Sequence, residues 1–245
     1  MFDPEKTKIS IVKWIKDFFK RPEHKGSKAV IGISGGLDSS LNAALCVDAI
    51  GASNVIGVLL PDGEQHDIDD AYNVVGHLDI SHYEININPV MDAFYEALKD
   101  AGLTPNKLVY RNAPARIRSA FLYAVCALEN GRFCNNANLS EVFLGWRTKG
   151  ADTVGDFAPI KNLTKSECIE VARETELLQQ HINKIPEDGL SGKSDEQNFG
   201  FSYELVDTLI RTGNIDDKKL MKKIEQMNAT GKHKEEPIPS APVDV

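Results

Sequence analysis

The sequence predicts an α/β fold in which a doubly wound, mostly parallel sheet is flanked by helices. A short apolar run at 29–33 meets the glycine-rich turn 34–40 (SGGLDSS) and then a stretch rich in alanine and leucine. A second apolar run at 55–60 is nearly continuous, as expected for a strand that is buried on both faces of a parallel sheet. Apolar runs and helical stretches then alternate, and this βαβα order favours right-handed crossovers.

The first half of the chain supplies the repeats of strand and helix. Apolar side chains at helical spacing over 4–20 predict a first helix, which could form an interface or dock on the protein's own core. The predicted elements that follow are a strand at 29–33, a helix at 39–50, a strand at 55–60, a helix from about residue 68, a strand at 81–87 and a helix at 90–101. Ligands bind beyond the carboxyl ends of strands in such sheets, so the loops at 34–38 and 61–67 are expected to line a site.

The second half is predicted to contain longer loops. After a loop at 104–109, the spacing predicts a helix at 112–130 and a short strand at 133–134, and the glycine-rich, charged stretch 145–157 is typical of a loop that orders over a ligand. Thr164 starts a capping box, and Lys165 with the free N–H groups of that helix is expected to form a second anion site. The remaining predictions are a loop at 188–200, helices at 203–211 and 217–228, and one domain over 1–245 with a partly flexible tail from about 230 to 245.

Charge and cysteine usage argue against several classes of protein. The formal net charge of −8, from 28 Lys and Arg against 36 Asp and Glu, argues against a nucleic-acid-binding surface. The four cysteines form no C-x-x-C motif, and we interpret them as reduced core residues of a cytoplasmic protein. No apolar run approaches the roughly 20 residues of a transmembrane helix, so no membrane association is expected.

The turn at 34–40 has the features of an anion-binding site. Its glycines let the backbone approach a ligand, and the following helix points unpaired N–H groups and the positive end of its dipole at the turn. Asp38 would repel a phosphate unless a cation lay between them, so we interpret it as a Mg²⁺ ligand. The turn has no lysine for a Walker A loop, and Ser34 stands where a dinucleotide fingerprint needs its second glycine.

The turn SGGLDSS resembles the S-G-G-x-D-S loop of the N-type ATP pyrophosphatases, which split ATP into AMP and pyrophosphate while adenylating a substrate oxygen. Within that superfamily the chain resembles ammonia-dependent NAD synthetase from about Ile9 to Lys234. The resemblance implies an adenine nucleotide alpha hydrolase-like fold. It is carried by ordered motifs at 61–71 (PDGEQHDIDDA), 111–118 (RNAPARIR), 140–159 (S-E, G, T-K, D, D and P at the family's spacing), 163–165 (LTK), 189–203 and 233–234 (HK).

The resemblance implies roles for individual residues. Asp38 and Glu141 would hold Mg²⁺, and with Lys165 they form the implied catalytic set. The implied ATP-binding residues are Gly32, Ile33, Ser34, Gly35, Gly36, Leu37, Asp38, Ser39, Asn136, Lys165 and Glu187. The implied residues for deamido-NAD⁺, the dinucleotide substrate, are Asn112, Arg116, Lys149, Asp152, Asp156, His233 and Lys234.

The implied reaction is ATP-dependent amidation of deamido-NAD⁺ to NAD⁺ through an adenylated intermediate, with release of AMP and pyrophosphate. Free ammonia is expected as the nitrogen donor, because glutamine-dependent relatives carry a large amidohydrolase domain before the synthetase domain and the phosphate loop here begins at residue 34. A homodimer is implied as well. The chain departs from the family pattern at Arg111, which replaces a glycine, and at Asn136 and Glu187, where the family often has a hydroxyl side chain.

Two alternatives stay open at the level of sequence. The chain could be another N-type ATP pyrophosphatase that adenylates a different acceptor, which the residues facing the acceptor would decide. It could also be a non-catalytic nucleotide-binding module that keeps the loop without turnover, and Asn136 and Glu187 give this reading some weight.

Overall fold

The fold is organised by a parallel sheet. In the computed structural model, which describes residues 2–65, 68–184 and 194–242, the sheet has the strand order β3-β2-β1-β4. The strands are β1 (Lys28–Gly32), β2 (Val55–Leu59), β3 (Ser81–Glu84) and β4 (Gly131–Phe133), and all their pairings are parallel. A further parallel bridge joins Cys134 to Phe157. The strand order places the carboxyl end of β1 beside that of β4, where residues 135–141 follow.

Helices connect and cover the strands. Their bounds are α1 (Pro4–Lys20), α2 (Leu37–Ile50), α3 (Ile68–His77), α4 (Asn88–Asp100), α5 (Lys107–Glu129), α6 (Leu139–Leu144), α7 (Lys165–Arg173), α8 (Gln179–Ile182), α9 (Asp195–Phe199), α10 (Tyr203–Thr212) and α11 (Lys218–Gly231). Short 3₁₀ turns lie at Pro22–His24, Ala52–Asn54 and Lys232–Lys234. No helix within the described ranges is long and apolar enough to cross a membrane.

The hydrophobic core lies on both faces of the sheet. Because successive side chains of a strand point to opposite faces, Ile31 packs in one core cluster with residues of α1, α2 and α7, while Val30 packs in another with residues of α4 and α5. A third cluster joins α6, α9, α10 and α11, with Val206 and Ile224 fully buried. The predicted doubly wound parallel sheet is therefore confirmed.

Several predicted boundaries are wrong, each for a local reason. α2 begins at Leu37 rather than 39, so Asp38 lies in a helical turn. α5 begins at Lys107 within the predicted loop 104–109, because the side chain of Asn106 caps it by accepting from the amides of residues 108 and 109. β3 is assigned only to Glu84, although the amides of Ile85 and Ile87 still donate to the carbonyls of Leu59 and Pro61. Within the predicted loop 188–200, Ser194 caps the short helix α9, while residues 188–193 lie outside the described residues.

The predicted burial of the cysteines is confirmed. Cys46, Cys126 and Cys168 lie in α2, α5 and α7, and Cys134 follows β4. All four are buried free thiols.

Candidate active site

The glycine turn between β1 and α2 requires glycine at its centre. Gly35 has φ +75°, and a Cβ atom there would lie 2.5 Å from Cβ of Asp70 and 2.8 Å from the amide nitrogen of Ala71. Steric strain and space thus both exclude a side chain. The hydroxyls of Ser39 and Ser40 donate to the carbonyl of Gly36 at 3.1 and 2.7 Å and brace the turn from within.

The other residues of this turn would contact a ligand mainly through their backbone. The side chains of Ile33 and Leu37 are buried in the core cluster that also contains α1 and α7, so they fix the turn to the sheet. The hydroxyl of Ser34 accepts from the amide of Gly36 at 3.3 Å. A ligand at this turn would therefore meet backbone groups and the start of α2, which is the arrangement that favours anions.

One lysine ammonium brings the two predicted metal ligands together. Lys165 Nζ lies 2.5 Å from Oδ2 of Asp38 and 4.0 Å from Oε1 of Glu141. The three residues come from the first turns of α7, α2 and α6. Asn138, the cap of α6, joins the two carboxylates, since its Nδ2 donates to Asp38 Oδ1 at 3.3 Å and its backbone amide donates to Glu141 Oε2 at 3.3 Å.

The electrostatics of this cluster follow from burial. Loss of solvent and the nearby carboxylate of Asp38 raise the pKa of Glu141 to about 8, although Lys165 opposes the shift. Burial alone would lower the pKa of Lys165, but the carboxylates of Asp38 and Glu141 outweigh it, and the pKa is raised. The cluster therefore holds a permanent cation between two acidic groups.

The prediction of a second anion site at the start of α7 is wrong in one respect, because the first N–H groups of this helix already donate hydrogen bonds within the protein. The amide of Lys165 donates to Ser140 Oγ at 2.9 Å, that of Ser166 to Asp207 Oδ2 at 2.8 Å and that of Glu167 to Thr164 Oγ1 at 3.3 Å. The predicted capping box at Thr164 is present. Only the ammonium of Lys165 is left to contact an anion from this end of the helix.

Asn136 has its side chain bonded within the protein. Its Nδ2 donates to the carbonyl of Gly32 at 2.9 Å, and its Oδ1 accepts from Asn42 at 3.0 Å. It thereby joins β1, α2 and the segment after β4 beside the glycine turn. Glu187 lies outside the described residues.

A cavity of about 750 Å³ opens beside the glycine turn. Leu37 and Lys165 line it, together with Arg173 and Lys184. Lys184 forms an ion pair with Asp70 at 2.6 Å, and Asp70 lies against Gly35. The cavity therefore combines the start of α2 with three basic side chains and the acidic side chain of Glu196.

The implied acceptor residues form a second group around the loop after α6. The backbone carbonyl of Lys149 accepts from Arg116 Nε at 3.2 Å, and Lys149 Nζ donates to the carbonyl of His233 at 3.0 Å. Asn112 accepts from the hydroxyl of Thr148 at 3.1 Å, and Asp152 accepts from the amide of Thr148 at 2.8 Å. Helix α5, this loop and the 3₁₀ turn at 232–234 thus meet in one place.

Lys234 and Asp156 have contacts that the sequence did not predict. Lys234 Nζ donates to the carbonyls of Gly145 and Arg147, each at 2.7 Å, and so fastens the chain end to the loop. Asp156 Oδ2 accepts from the amide of Phe133 at 2.7 Å, which ties this carboxylate to β4 rather than to the group around Thr148.

Further basic residues that the sequence did not assign to the acceptor border the acceptor group. The guanidinium of Arg111 lies 4.4 Å from the centre of the Trp146 ring. Trp146 stands between Gly145 and Arg147, whose carbonyls hold Lys234, so Arg111 and Lys234 flank the same tryptophan. Arg147 is buried and forms an ion pair with Glu235. The departure at Arg111 was the only signal in the sequence for this basic group.

Taken together, the strand order and the S-G-G-x-D-S turn place the chain in the class of adenine nucleotide alpha hydrolase-like folds. The model of the family described as NAD synthase matches residues 8–238. The chain belongs to the NAD synthase family.

The chain is also similar to individual relatives and solved structures. The chain is similar to the NH(3)-dependent NAD(+) synthetases of Thermococcus kodakarensis (38% identical, covering 77% of this chain and 74% of the relative) and Thermoplasma acidophilum (32%, covering 88% and 91%). Among solved structures it is similar to NMN synthetase from Francisella tularensis (TM-score 0.90, 28% identical, covering 98% and 99%). It is also similar to the NH3-dependent NAD synthetase of Campylobacter jejuni (TM-score 0.79, 27% identical, covering 99% and 100%).

Proposed function

We propose that this chain is an ammonia-dependent NAD synthetase, which converts deamido-NAD⁺, ATP and ammonia into NAD⁺, AMP and pyrophosphate. The observation that carries the proposal is the meeting of Asp38, Glu141 and Lys165 at the glycine turn of an NAD synthase family member. An oxygen of the nicotinate carboxylate attacks the α-phosphorus of ATP, and the bond to pyrophosphate breaks. Ammonia then attacks the acyl carbon, AMP leaves with the electron pair of the broken C–O bond, and the nitrogen loses a proton.

The protein's part in this reaction is positioning and charge neutralisation. The backbone of the turn and the start of α2 would hold the ATP phosphates. Lys165 would stabilise the departing pyrophosphate, since its raised pKa keeps the ammonium charged throughout the physiological pH range. Asn136 would act through the shape of the turn, because both ends of its side chain amide are bonded within the protein.

We include Mg²⁺ in the proposal on the chemistry of the donor set. Two carboxylates already share one cation, the Lys165 ammonium, and oxygen ligands from carboxylates and phosphates are those that Mg²⁺ prefers. No group of three or more His, Cys, Asp or Glu side chains forms a metal site in the described part of the chain, which suits an ion that takes its remaining ligands from phosphate and water. Asp38 and Glu141 would hold the ion, and the ion would neutralise charge on the phosphates.

The acceptor would lie against the group around Thr148. Arg116, Lys149, His233 and Lys234 supply basic side chains there, and Arg111 adds a further one. Asn112 and Asp152 supply polar groups for the sugar or base. Asp156 supports the site from β4.

A second candidate differs only in the acceptor. The structural similarity to NMN synthetase from Francisella tularensis, with a TM-score of 0.90 and nearly complete coverage of both chains, favours nicotinate mononucleotide as an alternative substrate. The two are separated by the ratio of kcat/KM for the mononucleotide and for deamido-NAD⁺. A ratio below one supports the dinucleotide, and a ratio well above one supports the mononucleotide.

The proposed homodimer would use the outer face of α4 and α5 rather than α1. Leu128 of α5 is 84% exposed, and Tyr110, Tyr123 and Phe94 are exposed on the same two helices. A cavity of about 230 Å³ lies between α4 and α5, and Arg116 of the acceptor group lines it. A second copy of the chain covering this face would therefore lie close to the acceptor site. The cytoplasmic location is proposed on the four free thiols.

Incubation of the purified chain with ATP, Mg²⁺, ammonium chloride and deamido-NAD⁺ tests the proposal. Equal amounts of NAD⁺ and AMP are expected, with none from the Asp38→Ala variant. A chain that binds ATP without forming AMP would instead be the nucleotide-binding module. Glutamine in place of ammonium should give no product above background.

A further inference from the structure

A buried carboxylate outside the implied site is bonded to both segments that carry the catalytic side chains. Asp207 lies in the middle of α10 and is 6% exposed. Its Oδ1 accepts from the hydroxyl of Ser140, and its Oδ2 accepts from the amide of Ser166 at 2.8 Å. The hydroxyl of Ser140 also accepts from the amide of Lys165 at 2.9 Å. These bonds close a ring between α6, α7 and α10.

The residues next to this ring are those on which the proposed chemistry depends. Glu141 follows Ser140 in α6, and Lys165 precedes Ser166 in α7. Helices α6 and α7 are separated along the chain by the long loop after residue 144, so sequence alone does not fix the distance between their first turns. The ring fixes that distance through side chains, and it sets how far the Lys165 ammonium lies from the Glu141 carboxylate.

Energetics argue against a role in stability alone. A carboxylate that is buried away from water costs free energy, and apolar residues of similar size often stabilise a core at least as well. Within the described residues, Asp207 accepts one hydrogen bond from each of the two segments of the site, one of them at the positive end of α7, and these bonds offset the cost. A fully bonded buried network of this kind favours one arrangement of the groups around it.

We propose that Asp207, acting through Ser140, is a positioning residue that sets the distance between Glu141 and Lys165 for the adenylation step. This inference rests on the proposed function. Asp207 is not among the residues that the resemblance assigns to ATP or to the acceptor, and its hydrogen bonds go to Ser140 and Ser166. Its loss would leave substrate contacts intact and would reduce the rate of the chemical step.

Two variants open the ring while keeping the fold. Asp207→Asn replaces one acceptor oxygen with an NH₂ donor, and Ser140→Ala removes the hydroxyl that joins Asp207 to Lys165. Val206→Ala is the matched control, because Val206 is the neighbouring, fully buried residue of α10 and belongs to the core rather than to the ring. Asp217→Asn, at the cap of α11, controls for the change from Asp to Asn.

The measurements are kcat and KM for ATP, the melting temperature, and the Kd of Mn²⁺ by electron paramagnetic resonance with a non-hydrolysable ATP analogue. Asp207→Asn and Ser140→Ala are expected to lower kcat at least tenfold, to change the KM for ATP less than threefold and to weaken Mn²⁺ binding at least threefold. Val206→Ala is expected to lower the melting temperature only, and Asp217→Asn to change none of these quantities.

The proposal is overturned if both ring variants have the wild-type kcat in assays run well below their melting temperatures. It is also overturned if Val206→Ala loses as much kcat at an equal loss of melting temperature, or if Mn²⁺ affinity is unchanged. If Asp207→Asn is insoluble, Ser140→Ala decides. A wild-type chain that makes no NAD⁺ would refute the proposed function itself, whereas an active wild type with fully active ring variants would refute only the role of Asp207.

Discussion

Lys165 and Asp38 are 127 residues apart in the chain, and their side chains form an ion pair at 2.5 Å beside the glycine turn. Replacing the lysine with the uncharged Lys165→Met leaves two partly buried carboxylates without their cation. We expect AMP formation to fall by roughly a hundredfold or more, as is typical when a group that stabilises developing charge is removed. We expect the free energy of unfolding to fall by about 3 kcal/mol. Lys222→Met, at an exposed position of α11, is the control. Equal turnover in the two variants would refute the role of Lys165 in the reaction.

Gly35 provides a test of the turn itself. Gly35→Ala introduces a side chain at φ +75° and within 2.5 Å of Asp70, so the turn must move and the KM for ATP should rise at least tenfold. Gly213→Ala has the same φ of +75° with open space around the new methyl group, and it should cost stability by about 1 kcal/mol without changing the KM. Steady-state kinetics and thermal unfolding measure both effects.

The raised pKa of Glu141 predicts that the free energy of unfolding depends on pH. Burial and Asp38 raise its pKa from 4.5 to about 8, so between these values the folded chain keeps a proton that the unfolded chain releases. The contribution of this residue to the free energy of unfolding is therefore full below about pH 4.5 and is lost as the pH rises through about 8. Urea unfolding at several pH values, without nucleotide or divalent ions, tests this. Between about pH 4.5 and 8 the free energy of unfolding should fall less in Glu141→Gln than in the wild type. Glu225→Gln should keep the wild-type slope.

Arg111 is expected to contact the acceptor. Its guanidinium lies over the Trp146 ring, and Lys234 donates to the carbonyls on either side of that tryptophan. Removing it in Arg111→Ala should raise the KM for the acceptor about tenfold, since a cation of this kind contributes on the order of 1 kcal/mol or more to binding. The KM for ATP should not change. Arg21→Ala removes a guanidinium that lies over Phe18, and unchanged acceptor kinetics there would confirm that the effect is local.

The oligomeric state tests the outer face of α4 and α5. Leu128→Asp places a charge at the most exposed leucine of α5, and we expect a monomer by size-exclusion chromatography with light scattering. Ile9→Asp places the same charge on the exposed side of α1, which the sequence offered as an alternative interface, and this variant should remain a dimer. The opposite result would move the interface to α1.

The parts that the sequence predicted are those with a strong local signal. The glycine turn, the buried run at 55–60 and the capping box at Thr164 are each written in consecutive residues, and each is found where it was predicted. The meeting of Asp38 and Lys165 could be expected only through family resemblance, because no local pattern encodes a contact across 127 residues.

What could not be predicted depends on side-chain contacts between distant segments. From the sequence, Asp207 is an ordinary polar residue of an amphipathic helix. Only the fold shows that it is buried against the start of α7. The early start of α5 was missed because the helical apolar spacing began later than the cap at Asn106. Similarly, the sequence suggested that the N–H groups of α7 would be free, and Ser140 and Asp207 occupy them.

The packing of Gly145 against Gly231 has a practical consequence for the end of the chain. A Cβ atom on either glycine would lie 2.5 Å from the Cα of the other, so the two backbones touch where the last helix passes the loop after α6. Lys234 secures the same junction three residues later. Shortening the protein to end before Gly231 would release that loop and damage acceptor binding, whereas a purification tag appended after Val245 leaves the junction intact.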